Sequence, residues 1–187
     1  MIKDIFSNCL NEVKSKSLRP LGSLKSKFKK IGIVGSGLMG HGIAYVSSYY
    51  GFKVVLIDNS KENVLTAFSK IEKMFKTEIK QNLFSNSQME KCLENIKVST
   101  DVSDLKGCDL VIEAVYEDTA LKRDVTIAAE KIMKSSGVFS SNTSTIPISK
   151  LATVSVRPEN FIGIHFFSPV HKMKLVEIIK NDNTSSN

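Results

Sequence analysis

From residue 31 onward, short apolar runs alternate with longer stretches in which apolar positions recur every three to four residues. The runs IGIV (31–34), KVVLID (53–58), IKVS (96–99), DLVIEAV (109–115), GVFSSN (137–142) and FIGIHFF (161–167) have the length and the β-branched or aromatic content of strands. Between them, residues 38–50, 61–81, 88–95, 119–136 and 147–154 carry helical spacing, the last opened by a proline suited to a first helical turn. The turn-forming NLFSNS (82–87) separates the second helix from the third. Steady alternation of strand and helix predicts a parallel sheet covered on both faces. One more apolar run, MKLVEII (173–179), follows FIGIHFF after a turn containing Ser168, Pro169 and His171. The expected fold is therefore α/β, a doubly wound, mostly parallel sheet ending in a C-terminal antiparallel hairpin.

Composition narrows this picture. At 187 residues and 42% hydrophobic content the chain suffices for one core, and no apolar run approaches the roughly 18 residues of a membrane span. The net charge is +7, but residues 1–30 hold eight Lys/Arg against Asp4 and Glu12 and so carry six of those charges. With the basic charge confined to one terminal segment whose aromatics are Phe6 and Phe28, a nucleic-acid partner is not expected. The basic extension, residues 1–29, reads either as a mitochondrial transit peptide or as a solvated lead-in to the first strand; its acids and its preference for Lys over Arg weigh against the former. Cys9, Cys92 and Cys108 are odd in number and far apart, with no neighbouring His at metal-ligand spacing. That fits a reducing compartment and predicts no metal site. Residues 183–187 read as a polar tail.

GSGLMG (35–40) places glycines at the first, third and sixth positions, between a strand and a helix, and Asp58 ends the next strand. This is the context a dinucleotide-binding turn of the Rossmann type requires. Gly35 allows the tight turn, Gly37 lets a pyrophosphate approach the backbone, and Gly40 lets the helix lie against the strand so that its first amides face the phosphates. Leu38 and Met39 complete the cofactor turn. Asp58 suits the adenine ribose hydroxyls and repels a 2′-phosphate, which favours NAD over NADP.

His165 and Glu177 stand in the two runs of the expected hairpin. If it is centred near His171, the two residues face each other. A carboxylate beside an imidazole fixes its tautomer and raises its basicity, as a general base acting on an alcohol requires. A strand histidine is often just a satisfied core residue. Against that, ligands in open parallel sheets sit at the carboxyl ends of strands, where His165 lies. His171 and His41 read as structural. In SSNTST (140–145), Asn142 and Ser144 either cap the next helix or hydrogen-bond a substrate carbonyl or the nicotinamide ribose.

With GSGLMGHGIA, VIEAVYED, SSNTST and GIHFFSPVHKMKLVEII in this order, residues 30–182 resemble the NAD-binding domain of the L-3-hydroxyacyl-CoA dehydrogenase family. The likeness is strongest to the versions within multifunctional fatty-acid β-oxidation proteins of the mitochondrial trifunctional alpha-subunit type. It implies oxidation of an L-3-hydroxyacyl-CoA to the 3-ketoacyl-CoA with NAD as cofactor. His165 then takes the catalytic position and Glu177 that of its partner carboxylate. Ser144 falls on the substrate-contacting serine, and Glu117 and Lys122 fall on residues near the cofactor. Lys70, Lys73, Lys76 and Lys80 either meet CoA phosphates or form a solvated helix face. Ser168 stands where short-chain, single-function members carry Asn. The family also implies a helical C-terminal domain, on a longer parent chain or a partner chain, a homodimer, and a location in the mitochondrial matrix or otherwise the cytoplasm. Two other readings remain: a truncated, non-catalytic NAD-binding module, and a short-chain 3-hydroxybutyryl-CoA dehydrogenase.

Overall fold

The structure, a computed structural model, describes residues 28–185. The expected basic extension thus lies outside the described residues except for its last two positions, as do residues 186 and 187 of the polar tail. In chain order the elements are β1 (Lys30–Val34), α1 (Leu38–Tyr49), β2 (Lys53–Ile57), α2 (Lys61–Lys80), α3 (Asn86–Glu94), β3 (Ile96–Ser99), β4 (Leu110–Glu113), α4 (Thr119–Ile132), β5 (Val138–Ser141), α5 (Ile148–Ala152), β6 (Phe161–Phe166) and β7 (Val176–Lys180). Short 3-10 turns occupy Val102–Leu105 and Pro158–Asn160. All seven strands form one sheet in the order β3-β2-β1-β4-β5-β6-β7. Every pairing is parallel except that of β6 with β7.

The continuous apolar runs are explained by burial on both sheet faces. Ile31, Ile33, Val54, Leu56, Ile112 and Ile164 point to one side, where they pack with Ile43 and Tyr45 of α1 and Ala67, Ile71 and Phe75 of α2. Val55, Ile57, Val111, Phe139 and Phe161 point to the other, against Ala129 of α4 and Leu151 and Ala152 of α5. Along α2 the buried positions Val64, Ala67, Ile71 and Phe75 follow helical spacing, and the charged residues between them stay in solvent. Cys92 and Cys108 are buried core thiols. No helix among the described residues is long and apolar enough to cross a membrane.

Three departures from the sequence pattern have a specific structural cause. The third helix starts at Asn86, two residues before the expected Gln88, because Ser85 and Gln88 form a reciprocal capping box. The fourth stops at Ile132, four residues short: Met133 turns extended and buries its side chain in the second core, and the Lys134 amide bonds the Cys108 carbonyl. Residues 183–185, the described part of the expected polar tail, lie back along β6 together with Asn181. Asn181 Nδ2 and the Thr184 hydroxyl both donate to the Phe161 carbonyl, and the Ser185 amide donates to that of Glu159.

Candidate active site

The sheet order reverses direction between β1 and β4, which both leave the same edge of the sheet. At this edge the glycine turn has the geometry its spacing predicts. Gly35 has φ +99°, and a Cβ there would lie 2.6 Å from the Ala114 carbonyl oxygen. A Cβ on Gly40 would lie 1.8 Å from the Gly35 carbonyl oxygen, so only glycine lets α1 come this close to the turn. A Cβ on Gly37 would meet nothing within 4 Å; the fold tolerates a side chain there, and the space beside the turn is open. Gly37 is the N-cap of α1 and supplies no side chain to the helix end. The first-turn amides of Leu38, Met39 and Gly40 have no carbonyl to bond within the helix and face this space with the positive end of its dipole. A cleft of about 610 Å³ opens here, bounded by the turn, Asp58 and Asn59 after β2, Ala114 to Tyr116 after β4, and Leu121 and Val125 of α4. Its size and apolar walls suit a nucleotide cofactor.

Asp58 sits one residue past β2. The Ser36 amide and hydroxyl donate to its Oδ2 at 2.9 and 2.8 Å, while Asn63 Nδ2 and the Ser60 amide donate to Oδ1 at 3.0 and 3.3 Å. Burial on its own would raise the Asp58 pKa, but these hydrogen bonds outweigh it and hold the group below the ordinary carboxylate value. The anion expected to read the ribose is thus fixed in place by the glycine turn itself. Ser36 and Asn63 had no assigned part in the sequence reading; the signal for Ser36 is its position between the first two glycines.

In the β6–β7 hairpin, His165 pairs with Glu177. Nδ1 of His165 lies 2.7 Å from Oε2 of Glu177. The histidine side chain is 19% exposed and the glutamate 51%, so the pair lies at the rim of the sheet edge and not in the core. Gly163 is level with Ser141 of β5, which places His165 two residues beyond the end of that strand. Asn142 Oδ1 accepts the Phe166 amide at 2.8 Å and ties the end of β5 to the residue beside His165.

Glu117 gathers the segment after β5. Its Oε1 accepts from the Thr143 hydroxyl at 2.6 Å, the Ser144 and Thr145 amides at 3.0 Å each, and the Thr145 hydroxyl at 3.1 Å. Its Oε2 lies 3.2 Å from Lys122 Nζ. Although burial acts to raise it, the Thr143 hydroxyl, the Thr145 amide and the Lys122 ammonium bring the Glu117 pKa down to about 2. Lys122 is itself fully buried and pairs at 2.8 Å with Glu113, a buried carboxylate at the end of β4 that sequence reading treated as strand.

Other candidates lie away from this edge or serve packing. The buried His41 donates from Nδ1 to the Gly37 carbonyl, and desolvation lowers its pKa. His171 packs edge-on against Tyr45. Lys73, Lys76 and Lys80 line a shallow depression on α2 with Thr77 and Asn86, and Lys76 pairs with Glu72. Among the described residues no group of His, Cys, Asp and Glu side chains could hold a metal ion.

Comparison with known proteins converges on one family. Residues 30–187 match the family described as 3-hydroxyacyl-CoA dehydrogenase, NAD binding domain. The fatty acid oxidation complex subunit alpha of Vibrio vulnificus (strain CMCP6) is 40% identical over 161 residues, covering 86% of this chain and 23% of that protein. Among solved structures, (S)-3-hydroxybutyryl-CoA dehydrogenase from Ralstonia eutropha is 38% identical with a TM-score of 0.84, over 86% of this chain and 56% of that one. The dehydrogenase part of multifunctional enzyme 1 from C. elegans is 29% identical with a TM-score of 0.79, over 94% of this chain and 43% of that one. The chain therefore spans less than a quarter of the curated relative and little more than half of the solved Ralstonia enzyme. The chain belongs to the 3-hydroxyacyl-CoA dehydrogenase NAD-binding domain family.

Proposed function

We propose that this domain binds NAD and contributes the His165–Glu177 pair to the oxidation of an L-3-hydroxyacyl-CoA to the 3-ketoacyl-CoA in fatty-acid oxidation. The observation that carries the reading is the 2.7 Å bond between Nδ1 and Oε2 at the edge that also holds the glycine cradle. Nδ1–H donates its hydrogen bond to the Glu177 carboxylate, a tautomer that leaves Nε2 unprotonated. Nε2 accepts the proton of the C3 hydroxyl, and Glu177 stabilises the imidazolium that results. NAD, when bound, supplies the hydride acceptor. Its pyrophosphate lies over Gly37 and the first amides of α1, through Leu38 and Met39, with Asp58 on the adenine ribose. Ser144 and Asn142 orient the substrate, Asn142 through its Nδ2, which has no protein partner among the described residues. Glu117 borders the cofactor.

A helical C-terminal domain, on a longer parent chain or a partner chain, and a homodimer belong to the same proposal. In support, Val176 and Ile178 of the edge strand β7 are 39% and 61% exposed beside Glu177, an apolar edge that invites cover. Catalysis needs the reacting atoms positioned and shielded from water, so the first domain alone should bind NADH and turn over poorly. A multifunctional parent is favoured by Ser168 and by the likeness to the C. elegans multifunctional enzyme; a short-chain 3-hydroxybutyryl-CoA dehydrogenase is the second reading, favoured by the Ralstonia structure. A cytoplasmic setting fits the bacterial relative, whereas a mitochondrial address would have to be carried by residues 1–29; a fluorescent fusion of that segment tests it. The activity test follows NADH formation by the complete enzyme from L-3-hydroxybutyryl- and L-3-hydroxypalmitoyl-CoA. Turnover of the long substrate supports the multifunctional reading, turnover of the short one alone supports the second, and no turnover of either leaves a non-catalytic NAD-binding module.

A further inference from the structure

Asp58 is held by four donors, shared unequally between its two oxygens. Oδ2 accepts twice from one residue, the Ser36 amide at 2.9 Å and the Ser36 hydroxyl at 2.8 Å. Oδ1 accepts from Asn63 Nδ2 at 3.0 Å and from the Ser60 amide at 3.3 Å. A carboxylate oxygen has two lone pairs, so the glycine turn takes Oδ2 completely. Oδ1 is held more loosely: the Ser60 contact is long, and Asn63 is an exposed residue whose amide can give way to a ligand hydroxyl.

Any residue except proline would supply the amide at position 36; the hydroxyl is what this sequence adds. Ser36 is 6% exposed, and an alanine would fill its place without a polar group to satisfy. Asp58 borders the cleft and Ser36 does not, so the route from this hydroxyl to a ligand runs through Asp58. We infer that Ser36 is a positioning residue for cofactor selection: its hydroxyl pins Oδ2 to the glycine turn and leaves Oδ1 as the oxygen that meets the adenine ribose. The pinned carboxylate cannot rotate out of the path of a 2′-phosphate, so the charge that disfavours NADPH stays in place. The inference rests on the NAD reading above and adds the side chain that sets how strict the choice is.

The test is Ser36→Ala in this chain, with NADH and NADPH affinities measured by fluorescence titration and the Asp58 carboxyl titrated by carbon-13 NMR. NADH binding should weaken about threefold to tenfold while NADPH binding does not weaken, so the preference for NADH falls at least about threefold. In an Asp58→Ala background the same change should alter NADH affinity by less than about twofold, because the hydroxyl then has nothing to position. The Asp58 carboxyl, held below its ordinary value in the unaltered chain, should titrate at least about half a pH unit higher in Ser36→Ala. Equal weakening of NADH and NADPH overturns the inference, since the hydroxyl would then serve the turn as a whole. Unchanged affinities overturn it too, as does tighter NADH binding, which would make Oδ2 a ribose acceptor that Ser36 obstructs. Should Ser36→Ala not fold, Ser36→Cys keeps the shape with a much weaker donor; the same loss of preference is expected, and an unchanged preference refutes the inference. If the unaltered chain binds neither dinucleotide, the NAD reading falls, while the carboxyl titration still decides whether Ser36 holds Asp58.

Discussion

Replacing Glu177 with glutamine keeps the shape of the hairpin and removes one charge. The magnitude follows from the geometry: with Nδ1 and Oε2 2.7 Å apart, the centres of imidazolium and carboxylate are about 4 Å apart, which is worth about 1 kcal/mol in water and about 4 kcal/mol at an effective dielectric of 20. Glu177 is half exposed in this domain, so the value lies between those limits, at about 1 to 3 kcal/mol, and nearer the upper figure if a second domain covers the edge. The charge matters only when the histidine has taken a proton, so the loss falls on the chemical step. At about 1.4 kcal/mol per factor of ten, kcat of the complete enzyme should drop about tenfold to a hundredfold. KM for NAD should hold within about threefold, because Glu177 takes no part in the glycine cradle. The assay is steady-state NADH formation, with the thermal unfolding midpoint as a control on folding. A kcat within threefold of the unaltered enzyme would refute the role given to the pair, and a matched loss in NAD affinity would move Glu177 into the cofactor site.

Gly40→Ala drives a methyl group into the Gly35 carbonyl, a backbone atom that cannot step aside; stability should fall by about 3 kcal/mol or more, lowering the thermal midpoint by roughly 10 °C in a circular dichroism melt. Asp58→Ala removes both the ribose acceptor and the charge that repels a 2′-phosphate, so NADH affinity should weaken by about tenfold while NADPH affinity does not fall; retention of the NADH preference would count against the ribose assignment. Glu117 has its pKa depressed from an ordinary 4.5 to about 2, so its contribution to stability is complete above 4.5 and fades as the pH falls toward 2. Across that window the urea midpoint of the unaltered chain should decline more steeply than that of Glu117→Gln, and parallel curves would show that the clamp on residues 143–145 adds nothing.

The parts of the site legible in the sequence are those set by local spacing. The glycines at 35, 37 and 40 announce a turn by their spacing: Gly35 takes the positive φ, Gly40 lets α1 approach the Gly35 carbonyl, and Gly37 leaves the helix end open. His165 and Glu177 could be paired because antiparallel strands fold back symmetrically about the turn between them, and the observed register agrees. What stayed hidden depends on contacts between remote elements. Glu113 looks like one polar residue in the run DLVIEAV; its meaning comes from Ser141, twenty-eight positions on, and Lys122, one helix away. Lys122 is singled out in the sequence only by the family resemblance; its pairing with Glu113 appears once α4 packs it against the end of β4. The bond from Ser36 to Asp58 crosses from one strand end to the next. In the described part of the polar tail expected at 183–187, polarity is what lets Thr184, with Asn181 before it, satisfy the Phe161 carbonyl.

Gly37 offers the most direct test of the central claim that this sheet edge is a dinucleotide site. A side chain there meets no protein atom within 4 Å and the backbone has φ −61°, open to any residue, so Gly37→Val should fold normally while filling the space left for the pyrophosphate. The measurement is NADH fluorescence titration of the unaltered chain and of Gly37→Val, alone and with acetoacetyl-CoA, beside thermal melts of both. The account predicts saturable NADH binding by the unaltered chain, affinity at least about tenfold weaker in the variant, and melting points within a few degrees of each other. Equal NADH binding by the two chains, or none by the unaltered one, would contradict it.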